Sequence, residues 1–226
     1  MPEQSLRAIR GRPLLLAALV LTAPLLTGAL ATPVTAAASV RPSAVDPPPG
    51  RFVVQSINGT GCRPADTQVR PRDTSRVDVD FRALQARLGG RVPATARRAQ
   101  CVLTLRAAVG RGYSFGVDTI VLRGRASLPE GTTGTAAVSS WFLGRPNTGT
   151  VQRTIPGPYE ATWDLRTVTR PASIRWSPCG ADYQVNLRTE VRLRSTGLRA
   201  GDTARMTLDP GTNEPSASYH FAWKRC

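Results

Sequence analysis

The chain has 226 residues, of which 41% are hydrophobic, and its 30 lysine and arginine side chains outnumber its 15 aspartate and glutamate side chains. Lys224 is the only lysine, so nearly all of the positive charge is arginine. No stretch after residue 38 is long and apolar enough for a transmembrane helix, and the remaining length suits one domain rather than two.

Residues 1–38 have the pattern of a secretion signal. Arg7, Arg10 and Arg12 precede an apolar run from Leu14 to Leu30, and a small-residue stretch ends at Ala38. This order predicts a Sec-type signal peptide that is cleaved after Ala38. An earlier cleavage site and an uncleaved membrane anchor are the alternatives. We expect the mature protein to be secreted, extracellular and without a membrane span.

Residues 39–50 form a predicted proline-rich linker, because three consecutive prolines at 47–49 favour an extended backbone. From residue 51 to 226 apolar and polar residues alternate, which is typical of strands that bury one face. The apolar members of these alternations, in chain order, are Val77, Val79 and Phe81; Cys101, Leu103 and Leu105; Tyr113, Phe115, Val117 and Val121; Tyr159, Ala161, Trp163 and Leu165; Val185, Leu187, Val191 and Leu193; and Tyr219, Phe221 and Trp223.

One short segment is compatible with a helix of a couple of turns. Phe81, Leu84 and Leu88 recur at helical spacing between Asp80 and Leu88, and the pair at 89–90 is Gly-Gly, which favours a stop. Turn-forming residues separate the other apolar runs. The sequence therefore predicts an all-β fold, an antiparallel β-sandwich of about ten short strands with at most one short helix, in a single domain over residues 51–226.

All four cysteines, Cys62, Cys101, Cys179 and Cys226, follow the predicted signal peptide. An even number of thiols in an exported chain predicts two disulfide bonds. Three pairings are open, and we favour Cys62–Cys101 and Cys179–Cys226 because each joins the nearest available partner. Each bond would contribute about 4 kcal/mol on the loop-entropy estimate. The spacing of the cysteines, with His220 as the only histidine, argues against zinc.

Candidate catalytic groups are few. Asp78 and Asp80 are expected on the wet face of one strand, and Glu160 and Asp164 share a face of another. Such pairs suit a glycosidase, or in the case of Asp78 and Asp80 a calcium ion, but acids also line any solvated sheet face. His220 is expected on the surface. We predict no catalytic residue and no cofactor or metal, and leave an enzyme as the alternative.

Arg188, Arg192 and Arg194 lie on one face of a predicted strand, spaced to contact successive anionic groups, although Glu190 partly neutralises the row. This stripe is a possible polyanion-binding site or simply a solvated face.

Aromatic residues could instead stack on sugars. Trp163 and Trp223 fall on the apolar phase of their strands and are expected in the core. Trp141 and Trp176 lie nearer to turns and are the candidates for exposure.

Several motifs together resemble a family of secreted bacterial and fungal proteins catalogued as domain of unknown function 4360. The resemblance covers residues 52–226, and it rests on Ser56–Cys62, Ala99–Cys101, Arg111–Tyr113, Leu122–Gly124, Trp176–Gly180 and Trp223–Cys226. Arg63 departs from the expected pattern, in which a proline or small residue follows Cys62. The resemblance implies export, a β-rich domain and paired cysteines, and it implies no activity.

The sequence therefore predicts a secreted, disulfide-stabilised domain that acts without catalysis at or outside the cell surface. The expected partner is a cell-wall component, another extracellular glycan or a protein, with a weaker case for an anionic polymer. The alternative is a secreted carbohydrate-active enzyme that uses paired carboxylates.

Overall fold

The computed structural model describes residue 48 and residues 50–147, 149–180 and 182–226. The predicted signal peptide and nearly all of the predicted linker lie outside these residues. No helix among the residues described here is long and apolar enough to cross a membrane.

The described chain forms two antiparallel sheets that pack face to face. Sheet A contains, in spatial order, β1 (Gly50–Asn58), β5 (Arg98–Val109), β10 (Gln184–Ser195), β7 (Thr132–Phe142) and β8 (Thr150–Pro156). Sheet B contains β2 (Thr67–Pro71), β3 (Arg76–Phe81), β12 (Ala217–Arg225), β6 (Tyr113–Leu128), β11 (Thr203–Thr207) and β4 (Gln85–Gly89), and β9 (Tyr159–Val168) also pairs with β6. The predicted all-β antiparallel sandwich is confirmed.

Alternating residues of both sheets meet in one hydrophobic core. The core contains an aromatic group in which Phe52 from sheet A packs against Phe115, Phe221 and Trp223 from sheet B. Between the sheets, the Tyr219 hydroxyl and the Thr189 hydroxyl form a buried hydrogen bond of 2.6 Å. This pairing satisfies two polar groups that would otherwise be costly to bury.

The predicted face of Val121 is wrong. Thr119 pairs with His220 and Val117 pairs with Phe221, so Asp118 is an extra residue in β6. A bulge of one residue exchanges the two faces of a strand beyond it. Val121 consequently lies on the outer face, outside the core to which Phe115 belongs.

The segment between Asp80 and Leu88 forms strands rather than the short helix that its spacing allowed. The segment contains the end of β3, a bend and then β4, and it buries Leu84, Ala86 and Leu88. A spacing of four residues fits a strand as well as a helix, and buried Ala86 completes a period of two. In the described residues the helical elements are short 3₁₀ turns at Pro64–Asp66, Ala94–Arg97 and Pro171–Ser173.

Both favoured disulfide bonds are confirmed. Cys62–Cys101 joins the loop after β1 to β5 with a Cα–Cα distance of 5.5 Å, and it is buried. Cys179–Cys226 joins a loop to the end of the chain with a Cα–Cα distance of 5.9 Å, and it is exposed. Because the Cys226 N–H also donates to the Gly112 carbonyl, the C-terminus is held at two points.

The loop after β9 runs along the first half of β6. The Ser177 N–H donates to the Phe115 carbonyl, and the Gly180 N–H donates to the Tyr113 carbonyl. Gly116 permits this close approach, because a Cβ there would collide with Ile174 and with the backbone of residue 175. The loop therefore lies directly on the sheet.

Candidate anion-binding site on sheet A

The two central strands of sheet A place charged side chains on its outer face. On β10, Arg188, Glu190 and Arg192 alternate with core residues, and Arg98 of β5 lies opposite Arg192. Glu190 Oε2 accepts a hydrogen bond from Arg98 Nη2 at 2.8 Å and another from Arg188 Nη2 at 2.7 Å. We call Arg98, Arg188, Glu190 and Arg192 the arginine cluster.

The charge balance of the arginine cluster is positive. Burial alone would raise the pKa of Glu190, but the hydrogen bonds from Arg98 and Arg188 outweigh it and lower that pKa. The bond to Glu190 raises the pKa of Arg98. Glu190 is therefore ionised at neutral pH. Within the described part of the chain Arg192 has no ion pair, and its buried Nε has no hydrogen-bond partner.

A shallow cavity of about 290 Å³ lies over the arginine cluster. Its far side is formed by Ser139 of β7 and by Thr150 and Gln152 of β8, where Thr150 pairs with Ser139. The cavity therefore combines guanidinium groups on one side with hydroxyl and amide groups on the other.

Only part of this arrangement could be found in the sequence. The alternation along β10 does bring Arg188 and Arg192 to one face, with Arg194 exposed two residues further on. Their use as a polyanion site stays a prediction. Arg98 was missed because it lies on a different strand. Its alternation with Ala99 was a visible signal, but the pairing of β5 with β10 was not.

The tryptophans divide as expected. Trp163 and Trp223 are buried in the core. Trp141 is half-buried and pairs with Asn186 of β10, so it belongs to the outer face of sheet A, beyond Ser139. Trp176 is also half-buried, and Lys224 Nζ lies 4.7 Å from the centre of its ring.

The candidate catalytic acids on β3 are both held by arginines. Asp78 is only 1% exposed, so the expectation that it lies on a wet face is wrong. It accepts hydrogen bonds from Arg72 Nε at 2.9 Å, Arg76 Nε at 2.8 Å and Ser218 Oγ at 2.8 Å. These bonds outweigh burial and lower the pKa of Asp78. Asp80 forms an ion pair with Arg70.

The other candidates are no closer to a catalytic arrangement. Glu160 and Asp164 are exposed, and Asp164 pairs with Arg153. His220 is half-buried, and its pKa is lowered first by burial and then by the charge of Arg76. No group of three or more His, Cys, Asp or Glu side chains that could hold a metal ion occurs in the part of the chain that the structure describes.

The molecule is thus a disulfide-cross-linked antiparallel β-sandwich with an arginine-lined depression on one outer face. Residues 51–226 match the family described as domain of unknown function (DUF4360), and the chain belongs to this family. An uncharacterized secreted protein from Arthroderma benhamiae is 28% identical over 185 residues, which cover 81% of this chain and 75% of that protein.

Two solved structures are more distantly similar. A structure of TmCBM61 in complex with β-1,4-galactotriose shares 12% identity at a TM-score of 0.27, covering 81% of this chain and 98% of that one. A structure of the infectious bursal disease virus Gx strain shares 12% identity at a TM-score of 0.26, covering 78% of this chain and 37% of that one. At these TM-scores neither similarity supports a conclusion about ligand or function.

Proposed function

We propose that this protein is secreted and acts without catalysis, binding an acidic polysaccharide at the arginine cluster of sheet A. In this proposal residues 1–38 are removed after Ala38, residues 39–50 are a linker, and residues 51–226 are the binding domain. One observation carries the proposal: Glu190 holds Arg98 and Arg188 together, while Arg192 has no carboxylate partner among the residues that the structure describes.

The geometry leaves many donors for a ligand. A guanidinium group has five N–H donors, and Arg98 and Arg188 each direct one at Glu190. The shared carboxylate offsets the repulsion between these two cations. The remaining donors, with those of Arg192, can bind the carboxylate or sulfate groups of a sugar chain, which match the planar guanidinium fork.

The neighbouring residues suit a sugar chain rather than a bare row of charges. Ser139, Thr150 and Gln152 offer hydrogen bonds to sugar hydroxyls. Further along the same face, Trp141 offers part of an aromatic ring for stacking. From Arg192 to Asn186, the partner of Trp141, the strand extends about 20 Å, which is long enough for several sugar units.

The carboxylates support binding over hydrolysis. A glycosidase needs one carboxylic acid that stays protonated near neutral pH. Asp78 and Glu190, the buried carboxylates paired with arginines, instead have lowered pKa values. Asp80 and Asp164 are each paired with an arginine.

The test measures binding of polygalacturonate to the mature domain by calorimetry at low and moderate salt. We expect affinity to fall about tenfold or more between about 50 and 200 mM salt, because counterions are released. The double variant Arg188→Gln/Arg192→Gln should lose about tenfold in affinity. A neutral polysaccharide should not bind.

The matched control is Arg87→Gln/Arg205→Gln, which removes the same charge from an exposed pair of facing residues on sheet B. This control should change affinity less than about twofold, since long-range charge is screened. Equal losses in the two double variants would show diffuse attraction and refute the site. Equal binding of single-stranded DNA would refute an acidic polysaccharide as the ligand class.

A further inference from the structure

A second cleft, of about 410 Å³, opens between the two sheets at the edge where β8 begins. The apolar part of its lining comes from both sheets: Val117 and Ile120 of β6, Val138 and Phe142 of β7, and Val185 of β10. The volume lies within the range of about 300–1,000 Å³ that is usual for small-molecule sites.

The cleft exists because the strands that would close it stop early. On the side of sheet A, β8 pairs with β7 only as far as Ser139 and Thr150. On the side of sheet B, β9 ends at Val168, which pairs with Thr119 of β6. The loop that contains Arg175 then lies on β6 at Gly116 and forms the remaining wall.

One exposed large hydrophobic side chain lines this cleft. Among the described residues the large hydrophobic side chains with substantial exposure are Leu143 at 56%, Val151 at 43% and Val168 at 63%. Of these, Val151 lines the cleft, whereas Leu143 and Val168 are only adjacent in sequence to lining residues.

The polar lining of the cleft combines one cation with several hydroxyl groups. Among the described lining residues Arg175 is the only charged one, and it forms no ion pair within the described residues. The hydroxyl-bearing residues Thr167, Thr169 and Ser173 line the cleft from the same segment of chain as Arg175, and sheet A contributes Ser139, Ser140 and Thr150. We infer that the cleft binds a monocarboxylic acid with a hydrocarbon chain, whose chain enters the apolar interior while its carboxylate pairs with Arg175.

This site shares part of its lining with the proposed polysaccharide site, but the arginines of the two sites differ. The two cavities meet at Val138, Ser139 and Thr150, which line both of them. Of these two cavities, Arg175 lines the apolar cleft and not the depression on sheet A, whereas Arg188 and Arg192 line the depression and not the cleft. Variants at these arginines therefore separate the two functions.

The test titrates the delipidated mature domain with sodium hexanoate, decanoate and hexadecanoate, followed by calorimetry. We expect saturable binding with one preferred chain length, because the cleft is finite. Arg175→Gln should weaken decanoate binding about tenfold and leave decanol binding unchanged, since only the charge-assisted bond is lost. Arg170→Gln, on the same loop but outside the cleft, is the matched control and should change neither.

A second variant, Thr167→Trp, fills the cleft and should abolish binding of both decanoate and decanol. Arg188→Gln/Arg192→Gln should keep decanoate affinity, and Arg175→Gln should keep polygalacturonate affinity, so each proposal fails separately. The inference is overturned if no chain length gives saturable binding. It is equally overturned if Arg175→Gln weakens decanol as much as decanoate, or if Arg170→Gln matches its effect.

Discussion

The two outer faces of the sandwich each contain a buried carboxylate held by two arginines, but the surroundings differ. On sheet B, Asp78 accepts bonds from Arg72 and Arg76. On sheet A, Glu190 accepts bonds from Arg98 and Arg188. The four arginine side chains are between 34% and 54% exposed, so the cations of the two clusters are similarly accessible to solvent.

What differs is the balance of charge around each carboxylate. Next to Asp78, Asp80 is paired with Arg70, and Ser218 completes the hydrogen bonding of the buried oxygen. Next to Glu190, Arg192 has no acidic partner in the described residues. The charged groups around Asp78 on sheet B are therefore satisfied within the protein, whereas those around Glu190 on sheet A still have donors for a ligand.

The largest expected effect comes from Asp78→Asn. This change removes the charge that orders Arg72 and Arg76, and it leaves an amide N–H₂ facing a guanidinium donor. We expect the free energy of unfolding to fall by about 3 kcal/mol. Urea denaturation measures it, and polygalacturonate affinity should stay unchanged. A loss of that affinity would mean that the faces are not independent.

Acid should act through the same groups. The folded-state pKa values of Asp78 and Glu190 are lowered, so their contribution to stability is present above their unfolded pKa values. That contribution is lost as pH falls through the folded-state pKa values. Between neutral pH and about pH 3 the wild type should lose more stability than Asp78→Asn does. Parallel pH profiles for the two proteins would contradict this account.

Glu190→Gln should cost about half as much, about 1.5 kcal/mol, because Glu190 is more exposed and, within the described chain, accepts no third side-chain bond like that from Ser218. Urea denaturation of this variant beside Asp78→Asn makes the comparison direct. If the two variants lose equal stability, the cluster on sheet A is as structural as the one on sheet B. The distinction between a cluster satisfied within the protein and one with donors for a ligand then fails.

Sequence patterns predicted most of the fold but little of the candidate site. The period-two runs identified β10 and β12, since a strand with one buried face records its burial in its own sequence. They failed at Val121, because Asp118 adds one residue that only the pairing with β12 reveals. The pairing of β5 with β10 places Arg98 in the site, and Arg72 and Arg76 bind the buried Asp78. Both depend on contacts between segments, which local alternation does not encode.

The smallest effect is expected where the two faces are joined through the core. On sheet B, Tyr219 is next in sequence to Ser218, whose hydroxyl donates to Asp78. The Tyr219 hydroxyl forms a hydrogen bond with the hydroxyl of Thr189, which is next in sequence to Glu190 on sheet A. Tyr219→Phe leaves the Thr189 hydroxyl without this partner and should cost about 1 kcal/mol at neutral pH. Thr189→Val is the matched control. The double variant should cost less than the sum of the two, because neither hydroxyl is then left unpaired.

Stability at alkaline pH provides a second, independent test of the Tyr219→Phe prediction. Burial raises the pKa of Tyr219 to about 12. Stability from the neutral hydroxyl is therefore lost as pH rises from the unfolded value of about 10 through about 12. Tyr219→Phe lacks that loss, so its deficit against the wild type should shrink above about pH 10. Polygalacturonate affinity at neutral pH should not change. A variant that weakened binding would couple the two faces through Thr189, and would overturn their treatment as independent surfaces.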